Sequence, residues 1–193
     1  MIEPLALILA GGRSTRMDGA SKADLTLGGE RLIDRCVDRL LPQVRDIAVN
    51  TNEPILGNWT ILPDTMSGHL GPLAGILAGL EWATKQNASH IVSVAVDTPF
   101  FPCDLVPHLL MAADDHSDGL TIAMTPDGEH GTFGLWPVSL IDPLSAFLAS
   151  GGRKVRTFTQ GQNAALAPFP DTTPPAFFNI NTPDDLTQAQ SWV

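Results

Sequence analysis

Short apolar runs alternate with segments of helical spacing along the first 115 residues, and this alternation constrains the fold more than any other feature. The run from Leu5 to Ala10 is apolar throughout and stops at Gly11-Gly12. The run from His90 to Val96 has the same character and stops at Asp97. Continuous apolar runs of this length are typical of strands covered on both faces, as in parallel sheets. The sequence therefore predicts a buried, mostly parallel sheet.

Helical segments separate these runs. Apolar residues recur with helical spacing from Leu32 to Val44, and Gly71-Pro72 opens a helix expected to reach about Gln86. Further strands are predicted over 46–51, 59–62, 120–125 and 132–136, and further helices over 102–115 and 139–149, with a last short one starting at Pro183. Such alternation predicts right-handed βαβ units. We expect an α/β fold with a doubly wound, mostly parallel Rossmann-like sheet, helices on both faces, and later strands pairing antiparallel at one edge.

The chain is expected to form one domain over residues 1–193. Its only proline-rich stretch, 168–175, is interpreted as a surface connection because few residues follow it. The start, Met1 to Gly12, has no basic leader and an apolar run too short for a membrane span, so we expect a cytoplasmic location. Cys36 and Cys103 form no Cys-x-x-Cys pair, which indicates neither a disulfide framework nor a zinc site.

The charge balance narrows the class of ligand. With 21 acidic and 11 basic residues the chain has a formal net charge of −10, so no diffuse basic field would attract nucleic acid or an anionic membrane. The basic residues nevertheless gather in two segments, one holding Arg13, Arg16 and Lys22 and the other holding Arg153, Lys154 and Arg156. An acidic protein with two basic loops suits a small phosphorylated ligand.

The first basic segment follows the first predicted strand directly. Its glycines, Gly11 and Gly12, allow close approach of the backbone to phosphates, and Arg13, Arg16 and Lys22 supply fixed positive charge for a triphosphate. The segment contains neither a Walker A motif nor a dinucleotide fingerprint. A tight turn with solvated arginines is the structural alternative.

Polar residues also follow other strands, at the edge where ligands bind in open α/β sheets. Asp97 ends the strand of 90–96, and a carboxylate there can hold Mg²⁺, a hard cation that prefers oxygen ligands. Asn50 and Asp64 follow the second and third strands. All three residue types also occur commonly in turns, so a purely structural role is the alternative.

The second basic segment, Gly151-Gly152-Arg153-Lys154-Val155-Arg156, suits an anionic acceptor. It equally suits a helix C-terminus, where a glycine cap and nearby cations are favoured. The sequence leaves both interpretations open.

The segment Leu9-Ala10-Gly11-Gly12-Arg13-Ser14-Thr15-Arg16-Met17, followed by Lys22, resembles the signature of the molybdenum cofactor guanylyltransferase (MobA-type) family of nucleotidyltransferases. Each further motif is weak alone, but the set follows the family's order over almost the whole chain. These motifs are Asn50-Thr51-Asn52, Pro63-Asp64, Gly71-Pro72-Leu73-Ala74-Gly75, Asp97-Thr98-Pro99, His130-Gly131-Thr132, Gly152-Arg153-Lys154-Val155 and Asn179-Ile180-Asn181-Thr182-Pro183.

The resemblance implies a nucleotide-diphospho-sugar-transferase-like fold, in which about 1–115 binds nucleotide and about 116–193 binds the acceptor. It implies Mg²⁺-dependent transfer of GMP from GTP to the phosphate of molybdopterin, with release of pyrophosphate. Its further implied partners are molybdopterin-inserting proteins and the recipient molybdoenzyme. Catalytic roles are implied for Arg16, Lys22 and Asp97, with Asp97 also holding the metal. Nucleotide binding is implied for Leu9, Ala10, Gly11, Gly12, Lys22, Asn50, Asp64 and Asp97, and acceptor binding for Arg153, Lys154, Asn179 and Asn181.

Gly12 is the residue from which the base of the nucleotide is predicted. Relatives that use CTP tend to carry alanine there, so the resemblance favours GTP, and the missing Cβ leaves room for a larger purine. Two alternatives remain beside guanylyl transfer. One is a cytidylyl- or sugar-phosphate nucleotidyltransferase of the same fold, and the other is a non-catalytic nucleotide-binding chaperone for a cofactor.

Overall fold

The structure of the protein is a computed structural model that describes residues 3–11, 22–66, 71–114 and 119–193. Strands and helices alternate through these ranges. The strands are β1 (Leu5–Leu9), β2 (Thr26–Leu27), β3 (Glu30–Arg31), β4 (Ile47–Asn50), β5 (Thr60–Leu62), β6 (His90–Ala95), β7 (Thr121–Thr125), β8 (Gly128–Pro137) and β9 (Ala165–Pro168). The α-helices are α1 (Leu32–Leu40), α2 (Pro72–Lys85), α3 (Leu105–Asp114), α4 (Ile141–Ala149), α5 (Val155–Gly161) and α6 (Pro183–Gln190).

Seven of the strands form one twisted sheet in the order β5-β4-β1-β6-β8-β7-β9, and β2 pairs with β3 in a small separate hairpin. β1 lies between β4 and β6 and is parallel to both. All five of its residues are buried, which explains why its sequence is apolar without alternation. The predicted doubly wound, mostly parallel α/β fold is confirmed.

Antiparallel pairing among the later strands is confirmed, but the antiparallel strand lies at a different position from the one predicted. β8 is antiparallel to both β6 and β7, but it lies inside the sheet rather than at an edge. A two-residue turn, Pro126-Asp127, joins β7 to β8 and forces them to run in opposite directions. The chain leaves β8 at one edge of the sheet and returns through α4 and α5 to that same edge, so β9 runs opposite to β8 and parallel to β7.

Helices cover both faces of the sheet, as predicted. One apolar cluster joins the sheet to α1, α3 and α6, and the other joins it to α2, α4 and α5. α2 lies very close to the strands because small residues face them. A Cβ placed on Gly79 would lie 2.7 Å from Leu7 Cδ2, so the helix can approach this closely only with a glycine there.

Several element bounds differ from those expected. α1 ends at Leu40 rather than near Val44, because Pro42 has no N–H with which to continue the helix. The segment 139–149 divides into a 3-10 turn over Val138–Leu140 and α4. The predictions omitted α5, β9 and the β2–β3 hairpin. None of the helices in the described ranges has the length and hydrophobicity needed to cross a bilayer.

Candidate active site

Three neighbouring parallel strands bring polar groups to one edge of the sheet. The Ala10 amide donates to the Asn50 carbonyl over 2.9 Å, and the Val96 amide donates to the Leu9 carbonyl over 3.1 Å. The carboxyl ends of β4, β1 and β6 therefore lie side by side, at spacings near 5 Å between strands. Asn50, Gly11 and Asp97 follow or end these strands at that shared edge. Ligands of open α/β sheets bind at this position.

Lys22 and Asp97 form the centre of the site. Lys22 Nζ lies 2.7 Å from Asp97 Oδ2 and 2.6 Å from Asn181 Oδ1. The side chains of Lys22 and Asp97 are 22% and 18% exposed, so water screens this ion pair less than it screens a surface pair. Three residues that the sequence assigned to donor and acceptor binding thus meet within hydrogen-bonding distance.

The C-terminal segment, residues 179–181, is hydrogen-bonded to the residues that follow β6. The Ile180 amide donates to the Asp97 carbonyl over 2.8 Å, and Thr98 Oγ1 donates to Asn179 Oδ1 over 2.9 Å. Because Asn179 and Asn181 flank Ile180, both amide side chains are held beside Asp97. The predicted convergence of the two halves of the chain therefore occurs at this carboxylate.

A capping box fixes the position of Asn181. Asp185 Oδ2 accepts hydrogen bonds from the amides of Asn181 (2.9 Å) and Thr182 (2.8 Å), and the Asp185 amide donates to Thr182 Oγ1. The hydrogen bond from the Asn181 amide is the main reason that the pKa of Asp185 is lowered. These contacts start α6 and restrain the Asn181 backbone.

A second polar cluster lies at the end of β4. Asn50 Nδ2 donates to Asp64 Oδ1 and to the Leu62 carbonyl, each over 3.0 Å. Asn52 Nδ2 donates to Asp64 Oδ2 over 2.9 Å. Gly75 of α2 faces Asn50, and a Cβ added there would lie 2.1 Å from Asn50 Oδ1. The structure therefore brings Asn50 and Asp64 together, with a glycine leaving space for the asparagine side chain.

Part of the first basic loop lies outside the described residues. Gly12 and Arg16, together with Arg13, belong to 12–21, whereas Gly11 and Lys22 on either side are described. A Cβ on Gly11 would lie 3.7 Å from Asn50 Oδ1, so the start of the loop borders the second polar cluster. Lys22 opens a short 3-10 helix that ends at Asp24.

The second basic segment lies at the end of α4. Arg153 Nη1 donates to the Leu148 carbonyl over 2.8 Å, and Gly151 takes a left-handed conformation with φ of 91° just beyond the helix. These are the features of a helix C-terminus, the structural alternative that the sequence allowed. The Lys154 carbonyl accepts from the Phe158 amide at the start of α5. Acceptor binding by Arg153 and Lys154 stays a prediction.

A cleft of about 330 Å³ adjoins Asp97 on the side of β8. Thr98 and Asn179 line the end nearest Asp97, and Glu129, His130 and Phe177 line its other walls. Neither Glu129 nor Phe177 was expected from the sequence to have a role. No local pattern marks them, because a strand residue and a loop residue are brought together only by the folded sheet.

Asp97 is the carboxylate of this edge that could hold a metal with help from neighbouring oxygens. The described part of the chain contains no group of three or more histidine, cysteine or acidic side chains arranged for a metal ion. Mg²⁺ does not need such a cage, since it commonly uses one or two carboxylates and the phosphates of a substrate. Lys22 contacts Asp97 Oδ2 and Asn181 Oδ1, so Asp97 Oδ1 is the oxygen that fits that mode of binding.

Solved structures identify the class of fold. Molybdopterin-guanine dinucleotide biosynthesis protein A of Archaeoglobus fulgidus matches with a TM-score of 0.76 and 23% identity over 97% of both chains. The 2-C-methyl-D-erythritol 4-phosphate cytidylyltransferase of Thermus thermophilus matches with a TM-score of 0.71 and 18% identity over 98% of both chains. The fold is therefore that of the nucleotidyltransferases.

Sequence comparisons identify the family within that class. The model of the MobA-like NTP transferase domain matches residues 6–166. Molybdenum cofactor guanylyltransferases of Cereibacter sphaeroides and Rhizobium meliloti are 43% and 42% identical, covering 96% and 98% of this chain and 94% and 92% of their own lengths. The chain belongs to the MobA-like NTP transferase family. The resemblance inferred from its motifs is confirmed, and the protein is a nucleotidyltransferase.

Proposed function

We propose that this protein transfers GMP from GTP to the phosphate of molybdopterin, releasing pyrophosphate and forming the guanine dinucleotide form of the molybdenum cofactor. Relatives named for this activity match over nearly their full lengths. Within the structure, the observation that carries the proposal is the contact of Lys22 with Asp97 and Asn181, which joins a cation, a carboxylate and the C-terminal segment at one point.

The donor nucleotide lies over the ends of β1 and β4 in this proposal. The amides of Gly11 and Gly12 approach the phosphates, and Arg16 and Lys22 balance their charge. The nucleoside extends along Leu9 and Ala10 toward Asn50 and Asp64. The existing hydrogen bonds of Asn50 to Asp64 and to the Leu62 carbonyl support this assignment, because they hold the amide in one orientation before a ligand arrives.

Mg²⁺ fits the proposed reaction as a shared ligand of protein and substrate. Asp97 would hold it through Oδ1, because Lys22 contacts Asp97 Oδ2 and Asn181 Oδ1. When bound, it would offset the negative charge that develops on the α-phosphate and on pyrophosphate.

The chemistry needs no protein nucleophile. An oxygen of the acceptor phosphate forms a bond to the α-phosphorus of GTP, the bond from that phosphorus to the α–β bridging oxygen breaks, and pyrophosphate leaves. The attacking oxygen is already ionised at neutral pH, so the protein has to position the two anions and neutralise their charge. Lys22 supplies a cation at this position, and its bond to Asn181 links that cation to the acceptor side.

The acceptor occupies the part of the chain from about 116 to 193, next to the nucleotide-binding part from about 1 to 115, within a single domain. Asn179 and Asn181 face it from beside Asp97, and Arg153 and Lys154 attract its anionic groups. The surrounding partners in this proposal are the protein that supplies molybdopterin and the molybdoenzyme that receives the product, all in the cytoplasm.

The test is GTP-dependent pyrophosphate release in the presence of Mg²⁺ and molybdopterin. Asp97→Asn keeps the shape of the side chain but removes its charge, and we expect turnover to fall by roughly 100-fold or more, as for loss of a transition-state contact. Asp104→Asn is the matched control, because it removes an exposed carboxylate (61% exposed) and should leave turnover unchanged.

Two results would overturn the proposal. Turnover with CTP or UTP in preference to GTP would favour the cytidylyl- or sugar-phosphate alternative. GTP binding without pyrophosphate release from the wild-type protein would favour a non-catalytic chaperone. Normal turnover by Asp97→Asn would remove the metal assignment alone.

A further inference from the structure

The cleft beside Asp97 owes its shape to an irregularity in β8. Ile122 of β7 lies opposite Gly134, but the next residue, Ala123, lies opposite His130. Residues 131–133 of β8 therefore have no counterpart on β7 in this pairing, and they line the cleft. Bulges of this kind redirect side chains and often adjoin active sites.

Two aromatic rings line the cleft beside the bulge. The imidazole of His130 stacks on the ring of Phe177, with centroids 4.2 Å apart and planes 21° apart. Burial lowers the pKa of His130, so the ring is neutral at pH 7. A neutral, flat wall favours a planar heterocycle over an extended polar chain.

Glu129 adds a directional polar group to this wall. Its side chain is only 18% exposed, whereas its ion-pair partner Arg156 is 73% exposed, with 3.5 Å between Arg156 Nε and Glu129 Oε1. Gln160 Nε2 donates to the same oxygen over 3.3 Å. Both described contacts use Oε1, and the long contact from the mostly exposed Arg156 contributes little. The carboxylate thus retains capacity to accept hydrogen bonds from a ligand in the cleft.

We propose that Glu129 determines acceptor specificity by accepting two parallel hydrogen bonds from the 2-amino and ring N–H groups of a pterin that lies against His130 and Phe177. This proposal rests on the proposed function, since it assigns the ring of the same acceptor. The pterin ring lies at the Glu129 end of the cleft, and the phosphate of the acceptor points to the Thr98 and Asn179 end, beside Asp97.

The test compares two fluorescent probes that differ at one group. Unsubstituted pterin (2-amino-4-oxopteridine) carries the 2-amino group, whereas 2,4-dioxopteridine (lumazine) has a carbonyl in its place and cannot form the paired hydrogen bonds. Fluorescence titration should show that the wild-type protein prefers the pterin. Glu129→Gln should weaken pterin binding by about 10- to 100-fold, as for loss of a charge-assisted pair, and change lumazine binding by less than about threefold.

Asp127→Asn is the matched control. Asp127 also carries a carboxylate in the same hairpin. It lines the neighbouring cavity, which shares His130, Phe177 and Asn179 with the cleft, but it does not itself line the cleft, so this variant should keep the wild-type preference. GTP binding, measured on each sample, reports whether the variants are folded. An unchanged pterin-to-lumazine ratio in Glu129→Gln, an equal change in Asp127→Asn, or no pterin binding by wild-type protein would each overturn the proposal.

Failure of this proposal and failure of the proposed function give different results. Selective pterin binding that depends on Glu129, without pyrophosphate release from GTP and molybdopterin, would overturn the transfer reaction alone. Pyrophosphate release with the same KM for molybdopterin in Glu129→Gln and wild type would overturn the role of Glu129 alone.

Discussion

Gly75 of α2 leaves the space that the Asn50 side chain occupies. A Cβ added at this position would lie 2.1 Å from Asn50 Oδ1, 2.6 Å from Asn50 Cγ and 2.8 Å from Leu9 Cδ2. Contacts this short cannot persist in a close-packed interior. We therefore predict that Gly75→Ala displaces the Asn50 side chain and breaks its hydrogen bonds to Asp64 and to the Leu62 carbonyl.

The cost of Gly75→Ala can be estimated from these contacts. Two hydrogen bonds are lost at a net cost of about 1 kcal/mol each. Accommodating an extra methyl group in a packed interior costs about 1–3 kcal/mol. Alanine recovers about 1 kcal/mol through its higher helix propensity. The free energy of unfolding should fall by about 2–4 kcal/mol, and GTP should bind about tenfold more weakly because Asn50 no longer faces the nucleotide.

Gly79→Ala is the matched control, one helical turn further along α2. Its Cβ would lie 2.7 Å from Leu7 Cδ2 and 2.9 Å from Ile91 Cδ1, which are the ends of apolar side chains. Gly79→Ala makes the same substitution in the same helix with a comparable overlap, but it breaks no hydrogen bond. Its free energy of unfolding should therefore fall by only about 0–2 kcal/mol. Affinity for GTP should not change.

Urea unfolding gives the stability of both variants, and calorimetric titration with GTP gives their affinity. Equal losses of stability and equal GTP affinities in Gly75→Ala and Gly79→Ala would refute the role of Asn50, because only overpacking would then distinguish either variant from the wild type.

Two further predictions concern stability. The buried indole of Trp136 donates to Ser93 Oγ over 2.8 Å, so Trp136→Phe should lower the free energy of unfolding in urea by about 2–4 kcal/mol. The same substitution in the Ser93→Ala background should have a smaller effect, and the difference measures the contribution of the hydrogen bond. Because the pKa of Asp185 is lowered below its ordinary value of 3.8, its contribution is present above about pH 4 and is lost as pH falls through the lowered pKa. Asp185→Asn should therefore be less stable than wild type at pH 7, and a difference that does not shrink toward pH 3 would contradict this.

The parts of the fold that could be predicted are those marked by local sequence. β1 and β6 are continuous apolar runs ended by glycine or Asp97, and α2 begins at a Gly-Pro pair, so their bounds agree closely with the predictions. α5 was missed because its residues are poor helix formers, among them Val155 and two threonines. Packing of Phe158 against Trp136 and Phe147, rather than propensity, stabilises that helix.

The candidate site likewise has a part that could be predicted from the sequence and a part that could not. Lys22 and Asp97 could be placed together from the sequence because parallel strands end at the same edge. The contact of Lys22 with Asn181 spans 159 positions and depends on the return of the C-terminal segment to β6. The sequence marked His130 through its motif, but the wall that it forms with Glu129 and Phe177 could not be predicted, since the wall follows from a register shift in β8.

Because β8 runs opposite to its neighbours, the β7–β8 turn can vary in length independently of the loops at Asp97. The β7–β8 hairpin passes the carboxyl edge of the sheet, and its tip, Pro126-Asp127, is exposed. Insertions at that tip would extend a self-contained projection, whereas insertions after β1 or β6 would alter loops that meet at Asp97. In the proposed function, exchange of this one hairpin between relatives would therefore change the acceptor side and leave the nucleotide side unchanged.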